Sequence, residues 1–175
     1  MEETLGYKNE DDKCYGATGM AVAVVVFDGE RYLAAVDLDA NPGSMLEMTD
    51  DFYFTGSPAL SAKSVWNRIL QNYNLTLAMS LANVMCRSIV RDRKPLSPAV
   101  RERLRRLSIE QGNESCSHDE DESGRLFDKN YTYLTRVFNH TGIGSVCHDF
   151  ADTLKRRRRL TRHEILEELR ALGMM

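Results

Sequence analysis

The order of patterns along the chain limits its fold more than any single motif. A β-branched, unbroken apolar run, Met20 to Phe27, comes first, and helical periodicity fills almost everything after residue 58. Such a run predicts a strand covered on both faces. Asp28-Gly29 supplies residues that tolerate positive φ in a two-residue hairpin turn, and Arg31 to Leu38 resumes as a second strand. A lone hairpin is marginal in water. It therefore needs a third strand, from Met45 to Thr49 or from Phe52-Tyr53-Phe54 after the turn at Asn41-Pro42-Gly43, or a covering helix. Gly56-Ser57-Pro58 ends the β portion. Strands first and helices after exclude a regular βαβ wind and predict an α+β fold: an N-terminal antiparallel hairpin of two to three strands packed on a C-terminal bundle of five to six helices.

The helices follow from apolar spacing and caps. Ser61 to Tyr73 aligns Val65, Trp66, Ile69, Leu70 and Tyr73 on one stripe. Leu75 to Arg91 is apolar on most sides, and Leu77, Leu81, Val84, Met85 and Ile89 are candidates for the centre of the core, screening the sheet. Lys94 and Pro95 end this helix. Ser97-Pro98 starts another that turns Val100, Leu104 and Leu107 inward. Gln111 to Gly124 reads as a polar loop carrying Asp119-Glu120-Asp121-Glu122. Arg125 to Phe138 is helical through Phe127, Tyr131, Leu134 and Phe138. Gly142-Ile143-Gly144 breaks the chain before a helix capped by Ser145 that buries Val146, Phe150 and Leu154. A capping box between Thr161 and Glu164 opens the last helix, with Ile165, Leu169 and Leu172 inward.

With 175 residues, 42% of them hydrophobic, the chain is long enough for one substantial core and short for two. Residues 1–16 are polar and acidic and predict a flexible arm; 17–175 read as a single α+β domain, with the β portion over 17–56 and the helical portion over 60–173. The net charge of -3 leaves no general field for polyanions. The apolar stretch Leu75 to Cys86 is too short and too interrupted for a bilayer span, and Met1 to Lys13 lacks the pattern of a secretory signal. The expected setting is cytoplasmic, with no membrane contact. There, Cys14, Cys86, Cys116 and Cys147 are reduced thiols, and the N-x-S/T triplets at Asn74, Asn113, Asn130 and Asn139 carry no meaning.

One stretch points toward a partner: Lys155-Arg156-Arg157-Arg158-Arg159. Successive helical residues rotate by about 100°, so five bases cannot share a face. They read as an exposed last turn and connector, favourably placed against the helix dipole and pairing with Asp119 to Glu122. The sharper alternative is a phosphate-binding patch joined by Arg101, Arg103, Arg105 and Arg106. Cys116, His118, Cys147 and His148 are ligand types that zinc accepts, at spacings unlike those of zinc sites. Cys147, at the start of a helix, is a candidate nucleophile whose base would be His118 or His140. Asp37 and Asp39, with Asp50 and Asp51, are candidates for Mg²⁺.

No catalytic residue and no cofactor are assigned. The expected function is a non-enzymatic binding or scaffolding module that acts through charged surface segments on a protein partner or a second copy of the chain. A nucleic-acid-binding protein using residues 155–159 is the alternative, and a Cys- or metal-dependent enzyme the third reading.

Overall fold

The computed structural model describes residues 6–53 and 62–174. The chain is α+β: among the described residues a three-stranded antiparallel sheet in the order β2-β1-β3 packs with six α-helices, five of which follow the hairpin. In chain order the elements are α1 (Glu10–Val26), β1 (Leu33–Asp37), β2 (Leu46–Met48), α2 (Ala62–Met85), α3 (Pro98–Cys116), α4 (Glu120–Asn139), α5 (Thr141–Arg157), β3 (Arg159–Thr161) and α6 (Arg162–Glu168).

The run expected to be the first strand, Met20 to Phe27, instead forms the second half of α1 and its cap. The helix begins ten residues earlier, inside the expected arm. Asn9 caps it by accepting from the Asp12 N–H at 2.9 Å, and Glu10, Asp11 and Asp12 oppose the positive end of the dipole. Ala17, Ala21, Val22, Ala23 and Val24 are fully buried, so the helix is apolar on nearly every side. Such a helix and a doubly covered strand show the same unbroken apolar pattern. Asp28-Gly29 is a helix stop rather than a hairpin turn: Asp28 takes φ 57° and the Gly29 N–H returns to the Val24 carbonyl at 2.7 Å.

The observed hairpin is β1–β2, with Val36 opposite Leu46 and a bulge between Leu33 and Ala35. β3, drawn from the end of the basic run, pairs on the other side of β1, Val36 opposite Leu160. Residues 50–53 form a 3₁₀ turn; Phe54 and Gly56-Ser57-Pro58 lie outside the described residues. α1 and α6 supply most of the sheet's cover, while the Leu75–Arg91 segment packs chiefly on α1.

The helices expected over 61–73 and 75–91 are one. α2 runs without a break through Asn74 and ends in a π-helical turn, Cys86–Arg91, that buries Cys86, Arg87 and Val90. Ser97-Pro98 and the Thr161–Glu164 capping box form as their sequences predict. The expected loop over 111–124 shrinks to Ser117–Asp119: α3 continues to Cys116, Ser117 closes it at φ 54°, and Asp119 caps α4. Gly142 and Gly144 lie within α5, whose cap is His140 rather than Ser145.

Candidate binding site

The basic run spans three backbone states. Lys155–Arg157 end α5, Arg158 turns the chain at φ 68°, and Arg159 enters β3. Four of the five side chains meet carboxylates. Lys155 Nζ lies 2.9 Å from Asp11 Oδ1, Arg157 pairs with Glu164, Arg158 with Glu10 and Asp39, and Arg159 Nη1 lies 2.7 Å from Glu47 Oε1 and 3.6 Å from Asp37. Hydrogen bonds from the arginines hold Asp39 and Glu47 below the usual carboxylate range, and the bond to Asp11 raises Lys155. The run is thus a strap joining the end of α5 to α1, the hairpin and α6. Arg156 makes no ion pair among the described residues.

The expected partner, Asp119 to Glu122, is not used; it opens α4. Arg101 and Arg105 on α3 are drawn instead to Asp128 on α4, at 3.6 and 3.8 Å, with Arg101 over the Tyr131 ring. Exposed pairs of this kind contribute little to stability. Arg158→Ser and Arg159→Ser are each expected to lower the urea midpoint slightly, by an amount that shrinks in high salt.

The ligand-type residues are not brought together. Among the described residues no three His, Cys, Asp or Glu side chains are arranged to hold a metal ion. Asp37 and Asp39 face the strap arginines, and Asp50 and Asp51 sit in the 3₁₀ turn. Cys116 is buried at the α3–α4 hairpin, with His118 Nε2 3.8 Å from Glu122. Cys147 is the seventh residue of α5, fully buried against Cys86, rather than at the helix N-terminus. Burial raises the Cys14 thiol to about 11 and also raises Cys86 and Cys116, which disfavours thiolate chemistry.

Instead, α1 and the π turn meet around Asp12, which is only 2% exposed. Its carboxylate accepts from the Lys8 N–H at 2.9 Å and from Arg87 at 3.1 Å, and pairs with Arg91. Arg87 also donates to the Gly6 carbonyl and lies over the Tyr7 ring. Arg91 lies over Tyr15, whose hydroxyl is 2.7 Å from His148 Nδ1. Burial raises Tyr15 to about 12, so the phenol keeps its proton.

His148 also lines a cleft of about 590 Å³ between the segment after the π turn and the α4–α5 corner. Ile89, Val90, Leu96, Tyr131 and Phe138 give it an apolar lining. Arg93, Lys94, Asn139, His140, Ser145 and Asp149 supply its polar groups. Arg93 is held at φ 55°, and neither Arg93 nor Lys94 lies within ion-pair distance of a carboxylate among the described residues, the charge of Lys94 acting only at longer range on Asp92. His140 Nδ1 accepts from the Gly142 N–H at 3.1 Å, which leaves its Nε2 as the N–H donor. α5 has no acidic residue in its first turn to offset its dipole. The cleft has a volume within the range of ligand-binding pockets. Sequence reading missed it because its walls are separated by about forty residues; Arg87 and Arg91, one turn apart inside an apolar helix, were the available signal of a buried acid nearby.

No helix among the described residues is long and apolar enough to cross a membrane. No protein-family model, curated protein or solved structure matches the chain.

Proposed function

We propose that the protein is a non-enzymatic binding module that receives an acidic segment of a protein partner in the cleft between the α2–α3 connector and the α4–α5 corner. The observation that carries this reading is the contrast between two basic stretches. Four of the five bases at 155–159 are engaged by carboxylates of their own chain, whereas Arg93 and Lys94 stand exposed beside the N-terminus of α5 without such partners among the described residues. The apolar lining gives a partner side chains to bury against, and the His140 Nε2–H adds a donor for carboxylate oxygens.

Titration with an Asp/Glu-rich peptide, followed by fluorescence anisotropy, tests it. Binding should weaken with salt and fall about tenfold or more in the double variant Arg93→Gly, Lys94→Ser, each lost charge contact being worth about 1 kcal/mol. Glycine at 93 suits the left-handed backbone, so the variant keeps its fold. Equal affinity for variant and wild type would refute the reading. The same titration with oligonucleotides addresses the nucleic-acid alternative: affinity falling steeply with salt and lost when Arg156 to Arg159 become Ser would carry that instead.

A further inference from the structure

We infer that the acidic segment seated in this cleft is Asp119–Glu122 of a second copy of the chain, so that copies join head to tail; the inference rests on the cleft being an acid-binding site. Asp119 to Glu122 form the tip of the α3–α4 hairpin, turned in three residues, Ser117–Asp119. All four acids are exposed. Among the described residues their one ion-pair contact is Glu122 with His118, at 3.8 Å. A tip with four negative charges, of which Asp119 accepts from the Glu122 N–H as the cap of α4 and Glu122 faces His118, is complementary to a cleft that carries Arg93, Lys94 and the His140 Nε2–H against the single lining carboxylate of Asp149.

The two features cannot meet within one molecule. Tip and cleft lie at opposite ends of α4, a 20-residue helix about 30 Å long. A neighbouring molecule can bring them together. Because the contacting surfaces differ, the interface is heterologous, and copies add in one direction until a ring closes or a filament grows.

Sedimentation velocity on the full chain reads the result. The wild type should grow in mean mass with concentration at low salt and return to monomer at high salt. Two variants, each blocked at one end, should stay monomeric: Asp119→Asn with Glu120→Gln, Asp121→Asn and Glu122→Gln, in which asparagine still caps α4, and Arg93→Gly with Lys94→Ser. Mixed in equal amounts, they retain one intact tip and one intact cleft, and should stop at the dimer. A wild type that stays monomeric throughout, or a tip variant that assembles as the wild type does, overturns the inference. A synthetic peptide of residues 117–123 separates the levels. If it binds the wild type and not the Arg93, Lys94 variant while the full chain stays monomeric, the homotypic partner is wrong and the acid-binding cleft stands. If the peptide binds neither protein and the chain does not assemble, both are wrong.

Discussion

Asp12→Ala is expected to lower the unfolding free energy by about 3–5 kcal/mol, the usual cost of removing one partner from a buried ion pair. The carboxylate lies between Arg87 and Arg91, with side chains 10% and 21% exposed. The substitution removes the buried carboxylate from beside Arg87 and leaves Arg91 with Asp92 and Asp11, its more exposed partners. Urea unfolding of the single variant, and of Asp12→Leu combined with Arg87→Met, separates two contributions. Most of the cost should disappear in the double variant, because replacing a buried pair by apolar side chains is often nearly neutral and Arg91 keeps Asp92 at 2.9 Å. A loss below about 1 kcal/mol would place Asp12 at the surface.

The same residue sets an acid limit. Burial pushes Asp12 up, but the Lys8 N–H, Arg87 and Arg91 outweigh it and hold the carboxyl at about 2, below the ordinary 3.8. A depressed folded-state pKa gives stability that is fully present above the unfolded value and lost as pH falls through the folded one. The contribution, about 2 kcal/mol, should therefore vanish between about pH 4 and pH 2. Asp12→Asn should lack this part of the slope while other carboxylates keep theirs.

What was legible in the sequence was what local chemistry decides. Ser97-Pro98 and the Thr161–Glu164 box mark helix starts because capping involves neighbours in the chain. The stripe Phe127, Tyr131, Leu134, Phe138 marks α4 because burial on one side imposes a period. α1 failed on that criterion: buried nearly all round, it has no stripe, and its β-branched residues cost a helix well under 1 kcal/mol each, too little to force a strand. Asp119 to Glu122 resembled a loop because residues that start helices also populate turns. The site was less accessible than the fold. The bases at 155–159 were plain in the sequence, but their partners Glu10, Asp39 and Glu47 lie more than a hundred residues away. No local pattern distinguishes a strap that is engaged from one that is free, and the isolated pair Arg93-Lys94 looks like any solvated helix end.

Two glycine substitutions should move stability in opposite directions, and one of them reports directly on the packing of α1 as a helix. A methyl group at Gly19 would sit 2.2 Å from the Ala82 carbonyl oxygen and 2.7 Å from Cys86 Cβ, contacts that require backbone to move. An exposed helix prefers Ala to Gly by about 1 kcal/mol, but here α1 and α2 must part at their closest approach, next to fully buried Ala82, Met85 and Cys86. Gly19→Ala is therefore expected to cost about 3 kcal/mol or more, the upper end for overpacking. At Gly144, inside α5, nothing lies within 4 Å of the added methyl. Gly144→Ala should add about 0.5–1 kcal/mol by reducing unfolded-chain entropy. Guanidinium unfolding of both variants gives the comparison. If Gly19→Ala were neutral or stabilising, α1 would not cross α2 at Ala82 and Cys86, and the helix would have lost the contact that explains why a run so suited to a strand is helical.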